Sequence, residues 1–495
     1  MGRKKQFIKN AVMLTAVSLL MRAVSFSFNV YVANKIGASG MGLFALIMSV
    51  YNFGVTFASS GINLASTKVI AEETAQKKSK RAAVKKCILY ALFFGILSST
   101  FIYFASGYFA NYIVGDIRIE FPLKILSFSL PCVAMSFALS GYFIASGKVY
   151  KNSLVQVLEQ VVKIFTAVFL LNGANVTSAQ SACIALVASG TIAEIISFVI
   201  LYIVYKFDIR KEQLKNSNDL TKRVLRYGLP VALSAYLRSA LSTTENTLIP
   251  KSLEKFSGTK NTALSSYGIV HGMVMPMIFL PSGVVSSVST LLVPEITMLN
   301  KLKNYKKIDS LIERILSLTL IFSIGAAGIL YFFSYEIAMF IYRDPEVAYY
   351  LKLVAPIAAI MYADGVVDAV LKGLNQEIYA MRYDILLSAV SIFLIVTLIP
   401  AKGVIGYILI IYVSEMINAF LSISRLMEVS DFNIKPLRWT AVPALCILVS
   451  TFFAKSFLGS NLISLLLTVI IYIAIMFIYR GHPHPLQRKK CVIKC

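Results

Sequence analysis

Fourteen apolar stretches follow one another from end to end of this chain. They lie at about 7–33, 43–70, 84–110, 121–146, 153–171, 179–205, 224–250, 263–293, 308–333, 348–371, 380–399, 405–427, 437–457 and 460–479. Each is of the order of length that crosses lipid as a helix. Such runs in succession describe an all-α polytopic membrane protein, not a soluble domain with an anchor. The composition agrees: 57% of residues are hydrophobic and 15% are charged, against roughly 25% charged in a soluble protein. The basic N-terminus "MGRKKQFIKN" leads into a full-length span without a small-residue cleavage site, so it is expected to stay as the first helix.

The net charge of +24 would suggest nucleic acid in a soluble protein. Its distribution gives another reason. With the N-terminus inside, the inner ends and loops carry 34 of the 48 Lys and Arg, and the opposite side carries 10. That is the positive-inside pattern, so both termini are expected in the cytoplasm and no nucleic-acid partner is expected. Cys87, Cys132, Cys183 and Cys446 lie in or at the ends of apolar segments, as small buried hydrophobes do. The tail "GHPHPLQRKKCVIKC", with His482, His484, Cys491 and Cys495, fits no zinc spacing, and no metal site or cofactor is expected.

The polar residues contain a repeat. Aligning Arg22 with Arg238 also pairs Ser18 with Ser234 and Lys35 with Lys251, and "SGINLASTKVIAEE" (60–73) then overlies "SGVVSSVSTLLVPE" (282–295), pairing Glu73 with Glu295. The pattern predicts two pseudo-symmetric six-helix lobes in parallel orientation. The expected division is an N-lobe at 1–205, a cytoplasmic linker at 206–223, a C-lobe at 224–427, and two further helices with a basic tail at 428–495. Internal repeats with a site at their interface are a transporter signature.

Within these spans the polar residues recur at helical spacing. Thr15, Ser18, Arg22, Ser25 and Asn29 fall on one face of span one, and Ser49, Asn52, Thr56, Ser59, Asn63 and Ser66 on one face of span two. Span seven offers Ser234, Arg238, Ser242 and Glu245. Small hydroxyls alone would serve close helix packing. An arginine would not, because its charge at mid-bilayer costs about 2.5–3.5 kcal/mol or more. Spans one, two, seven and eight are therefore expected to line a shared polar cavity. A pair of guanidinium groups facing water would bind an anion, phosphate above all. A salt bridge from either arginine to Glu245 or Glu194 is the alternative.

Other charges lie within spans. Gln156, Glu159, Gln160 and Lys163 share a face of span five, where Glu159 and Lys163 are spaced to pair along the helix. The group either pins helices together or tunes the cavity. Asp364, Asp368 and Lys372 share a face of span ten; the acids would hold a coupling cation or proton, or pair with bases. Glu194 and Glu415 are single acids deep in their spans. Lys68 lies close enough to the inner end of span two to snorkel. His271 is the only histidine within a span, and no loop carries a constellation suited to hydrolysis or glycosyl transfer. "GASGMG" (37–42) has no preceding strand and is not expected to cradle phosphate.

The segments "KIGASGMGLFALI" (35–47), "SSGINLASTKVIAEE" (59–73), "GYFIASGKVYKNSLVQVLEQVVKI" (141–164) and "LLVPEI" (291–296) resemble the stage V sporulation protein B type of polysaccharide-biosynthesis membrane protein. That type belongs to the multidrug/oligosaccharidyl-lipid/polysaccharide (MOP) exporter superfamily, which also holds the multidrug exporters of the MATE type and the lipid II flippases. The resemblance implies fourteen spans, two lobes around a cationic cavity, and alternating access that moves an undecaprenyl-pyrophosphate-linked glycan outward across a bacterial plasma membrane. It implies a non-enzymatic transporter, expected as a monomer, with glycan-assembly enzymes as candidate partners and a coupling ion or the membrane potential as driving force. Arg22 and Arg238 match the family's cavity arginines. Lys163 and Lys68 would draw the anion in, while Ser18, Ser25, Asn29, Asn52, Asn63, Gln156, Glu159, Ser234 and Glu245 would line the cavity. Span eight lacks the arginine that lipid II flippases carry there. The rival readings are a cation-coupled drug or metabolite exporter using Asp364 and Asp368, and a membrane enzyme or scaffold for glycan assembly.

Overall fold

Hydrocarbon offers a peptide group no hydrogen-bond partner, so a membrane chain must satisfy its backbone internally. The computed structural model accordingly contains helices and no strand among the residues it describes. These are 2–59, 61–76, 78–173, 178–209, 219–432 and 436–481, with side chains from Val17 on. Linker residues 210–218, the side chain of Thr15 and the tail 482–495, with His482, His484, Cys491 and Cys495, lie outside the description.

The chain gathers into two compact units, one of residues 1–273 with 381–410, the other of 274–380 with 411–495. The first begins with α1 (Gly2–Ser59), which holds two crossings joined at Gly37. There φ is +71°, in the left-handed region open chiefly to a residue without a Cβ. The second crossing continues as α2 (Ile62–Ala75), followed by α3 (Lys80–Tyr108). Next come α4 (Glu120–Ser127) and α5 (Leu130–Ala145), a pair bent by 47° at the break between them. The remaining helices of this unit are α6 (Val149–Gly173), α7 (Ala179–Asp208), α8 (Leu220–Ser257) and α9 (Lys260–Tyr267).

The second unit holds α10 (Met275–Lys301), α11 (Tyr305–Phe332), α12 (Ser334–Ile341), α13 (Pro345–Val354) and α14 (Ala358–Gly373). The long α15 (Glu377–Val429) contributes to both units and turns at Gly403, as α1 does at Gly37. Two last helices, α16 (Val442–Leu458) and α17 (Leu462–Gly481), follow. Among the described residues ten helices are long and apolar enough to cross a membrane. Counting α1 and α15 as two crossings each, and adding the bent pair and α8, gives fourteen, as expected from the sequence.

Small residues set the packing. In the first unit Ser66 Oγ donates to Ala138 O at 2.7 Å, and Ser98 Oγ to Gly54 O at 2.7 Å. The crossing of α1 with α9 is closer still. A Cβ on Gly42 would stand 2.1 Å from Leu264 O, and one on Gly268 1.9 Å from Ala38 O. Backbones can meet at that distance only because Gly42 and Gly268 have no Cβ, the usual device for tight helix contact in lipid. In the second unit Tyr472 OH donates to Ile321 O at 2.6 Å and fixes α17 on α11. Large apolar side chains such as Phe104, Phe207 and Phe477 stay outward-facing, as a lipid-facing surface requires.

Candidate functional site

The helix ends that carry most of the lysines and arginines define a basic face, and the other ends a far face. Span one presents its stripe outward. Ser18, Arg22 and Ser25 are exposed and Asn29 is half-buried. Arg22 makes no hydrogen bond or ion pair with any described residue, and its guanidinium keeps its donors for solvent or ligand. In span two Asn52 is exposed and Asn63 half-buried. Thr56 Oγ1 and Thr67 Oγ1 bond back to the carbonyls of Asn52 and Asn63, both at 2.8 Å. Ser66 is buried and committed to packing.

Arg238 on α8 is 53% exposed at its side chain and sits 3.3 Å from Asp384, on the part of α15 that belongs to the same unit. Neither Glu194 nor Glu245 neutralises it. Ser234 Oγ, one turn earlier, donates to Val231 O at 3.0 Å. Glu245 faces inward, and its Oε1 is buried without a hydrogen-bond partner. Nearby, His271 stacks on Tyr267 with ring centroids 5.0 Å apart, and Tyr407 OH lies 3.5 Å from His271 Nδ1.

At the basic face of this unit a cluster ties α2 to α8. Arg223 donates through Nη1 to Glu73 Oε1 at 2.6 Å and through Nη2 to Glu72, while Tyr227 OH donates to Glu72 Oε1 at 2.8 Å. Lys68 Nζ stands 5.6 Å from the centre of the Tyr227 ring, so this predicted anion-drawing lysine borders the cluster. Glu73 is wholly buried. Burying a carboxylate is costly unless a cation meets it, and Arg223 supplies that cation.

At the far face Asp116, also buried, is held by Arg118 at 2.8 Å and by Lys260 at 3.5 Å. Burial opposes its ionisation, but the Arg118 hydrogen bonds and the two cations prevail and hold its carboxyl below the usual carboxylate range.

Glu159 and Lys163 share a face of α6, yet Glu159 Oε2 accepts from Ser197 Oγ on α7 at 2.7 Å. Glu194 and Lys163 lie within electrostatic reach of Glu159, so the structure groups three charges that the sequence presents as a pair and a lone acid. Gln156 is exposed and Lys163 half-buried. In the second unit Asp364 is buried and its Oδ2 accepts from Asn418 Nδ2 at 2.7 Å. Asp368 lies within electrostatic reach of Glu415. No group of three or more His, Cys, Asp or Glu suited to a metal ion occurs among the described residues.

Residues 7–300 match the family described as Polysaccharide biosynthesis protein, more than half of the chain. The chain belongs to that family. Stage V sporulation protein B of Bacillus subtilis (strain 168) is 26% identical to it over 449 residues, which cover 87% of this chain and 86% of the relative. The fold is similar to that of the lipid II flippase MurJ in an inward closed conformation, with a TM-score of 0.74, 15% identity, and coverage of 94% of this chain and 98% of the other. An inward-facing multidrug resistance MATE family transporter of the MOP superfamily is similar at a TM-score of 0.59 and 12% identity, over 84% of this chain and 100% of the other. The architecture of this polysaccharide biosynthesis protein is thus all-α, as its spans imply, and MATE/MOP-like, as the resemblance implies.

Several residues that organise the site of this family member escape sequence reasoning. Asp384, Arg223, Glu72 and Tyr227 all act across helices far apart in the chain. Glu73 was visible only as the repeat partner of Glu295, and no spacing linked either acid to Arg223. His271 was visible as a lone intramembrane histidine, but nothing in the sequence linked it to Tyr267 and Tyr407.

Proposed function

We propose that this protein is a flippase that moves an undecaprenyl-pyrophosphate-linked glycan precursor, of wall, spore cortex or exopolysaccharide, from the cytoplasmic to the outer leaflet of a bacterial plasma membrane. The observation that carries the reading is Arg22: an exposed guanidinium in the middle of an apolar span, on a polar stripe, with no protein counter-charge among the described residues. A charge is retained at such depth for something that meets it there, and guanidinium suits a pyrophosphate through paired, charge-assisted hydrogen bonds. The family membership and the likeness to stage V sporulation protein B and to MurJ support the same reading.

In this mechanism Arg22 and Arg238 hold the pyrophosphate, and Lys68 and Lys163 attract it from the cytoplasm. Ser18, Ser25, Asn29, Asn52, Asn63, Gln156, Glu159, Ser234 and Glu245 hydrate the path. The polyprenyl chain stays in lipid. The lobes 1–205 and 224–427 rock about their interface and turn the site outward. Both termini are cytoplasmic, the protein acts as a monomer, and Asp364 and Asp368 are the coupling carboxylates if an ion drives the cycle.

Arg22→Ala is expected to abolish rescue of a flippase-depleted bacterium while the protein still reaches the membrane. Normal growth of that strain would reject the assignment. One observation favours a second reading, a cation-coupled exporter: Asp364, which accepts from Asn418, and Asp368, within electrostatic reach of Glu415, place acids in the interior of the second unit. Cation-driven dye efflux that is lost in Asp364→Asn and unaffected by Arg22→Ala would favour the exporter.

A further inference from the structure

The far-face end of the second unit holds a pocket of about 730 Å³, within the range of roughly 300–1,000 Å³ typical of small-molecule sites. The turn between α11 and α12, the start of α13 and the end of α16 build it. Its lining includes Tyr331, Tyr335, Tyr349, Glu336, Lys352 and Lys455. Tyrosines at a membrane surface ordinarily serve as interfacial anchors, with their rings turned toward the headgroups. These three instead line one concavity, together with an ion pair and a second lysine.

The polar groups are arranged in a particular way. Lys455 Nζ donates to Phe332 O at 2.7 Å, stands 3.3 Å from Glu336 Oε1 and lies 4.6 Å from the centre of the Phe333 ring. Its charge is therefore spent within the protein, and it holds Glu336 in place as an acceptor. Lys352 is exposed, 5.5 Å above the Tyr331 ring, and keeps its donors. Tyr335 and Tyr349 are 61% and 53% exposed, and Tyr350 braces the Tyr349 ring edge-on at 5.3 Å.

A phosphate would want uncommitted cations, and one of the two lysines is already neutralised. An acyl chain would leave a carboxylate and an ammonium facing hydrocarbon, which is costly. A sugar ring fits both halves of the lining. The C–H face of a pyranose packs on an aromatic ring, and its hydroxyls take a carboxylate acceptor and an ammonium donor at the rim. We infer that this pocket is a saccharide subsite that takes one or two neutral sugar rings through Tyr335 and Tyr349, with Glu336 and Lys352 bonding their hydroxyls. Its role rests on the flippase reading, under which the far face is where the glycan emerges; the binding itself does not.

The test uses the full-length protein in nanodiscs, titrated with N,N′-diacetylchitobiose and with cellobiose and followed by saturation-transfer NMR. Saturable binding is expected, about tenfold weaker in Tyr335→Ala and in Tyr349→Ala, the scale of losing one stacked ring. It should be retained in Tyr335→Phe and Tyr349→Phe, which keep the ring and the fold. Lys352→Gln, at an exposed position, should weaken it severalfold. No saturable binding of either sugar, equal binding by the alanine variants, or displacement by inorganic phosphate would overturn the inference. Arg22→Ala should leave sugar binding intact. If that variant binds sugar and still supports growth, the flippase reading fails and the subsite stands.

Discussion

Arg22 and Arg238 occupy matching registers of the internal repeat, and their surroundings differ. Arg22 lies exposed on its stripe with no described counter-charge, whereas Arg238 rests 3.3 Å from Asp384. The same divergence separates Glu73, wholly buried beneath Arg223, from its repeat partner Glu295, which is exposed. A repeat thus transmits a position along a helix but not the chemistry of that position. Chemistry depends on what another helix brings within about 4 Å.

The most severe test concerns the tightest backbone-to-backbone approach, between the segments around Gly42 and Gly268. Gly268→Ala would put a methyl 1.9 Å from Ala38 O, which no side-chain adjustment relieves. Loss of most folded protein from the membrane is expected, measured by fluorescence-detected size-exclusion chromatography. Gly190→Ala, with nothing within 4 Å, is the neutral control.

Next in size is the arginine comparison itself. Transport by Arg22→Ala should fall by about 100-fold, the scale of losing charged hydrogen bonds to a ligand. Arg238→Ala should lose about tenfold, because Asp384 already takes part of that charge. Arg238→Ala combined with Asp384→Ala should recover severalfold over Arg238→Ala alone, since it leaves no bare carboxylate. Equal losses for Arg22 and Arg238 in a flipping assay would break the comparison.

The glutamate pair comes third. Glu73→Ala removes a buried partner of Arg223 and should cost about 3 kcal/mol. Glu295→Ala should stay within about 0.5 kcal/mol. Thermal shifts in detergent distinguish the two, and a similar shift for both would mean that the buried pair is not what holds α2 to α8.

The smallest effect is one of pH. The Asp116 carboxyl lies below its ordinary range in the folded protein, so its contribution is complete above the unfolded carboxylate value of about 3.9. It is lost as pH falls through that value and below. Asp116→Asn should flatten the acid limb of the stability curve. An unchanged limb would mean that Arg118 and Lys260 do not stabilise the ionised form.

Much of the architecture was legible because lipid makes it so. The spans show as apolar length and the basic face as lysine and arginine counts, and the turn at Gly37 lies where the sequence places the first loop. The stripe through Arg22 was legible because helical period puts residues three and four apart on one face. Partners were not legible. Glu159 and Lys163 have the spacing of an intrahelical pair, yet Glu159 accepts from Ser197; the spacing permits that bond without compelling it. Asp384 lies far along the chain from Arg238, and no local pattern marks it as the counter-ion. The aromatic pocket at the far face draws on four helices and has no signature in any one of them.

By itself, then, the sequence determined that this chain is a helical protein with about fourteen apolar crossings, which helix ends are basic, and which residues share a helix face with Arg22. Each of these follows from one helix meeting lipid and water, a problem solved by composition and period. Only the tertiary structure decided which charges are spent and which remain available. Arg223 and Lys455 are committed to protein carboxylates and Arg238 shares part of its charge with Asp384, while Arg22 has no such partner among the described residues. The reason is physical: neutralisation acts over a few ångströms between helices, and their neighbours are chosen by packing, as where Gly42 meets Gly268, and not by order along the chain.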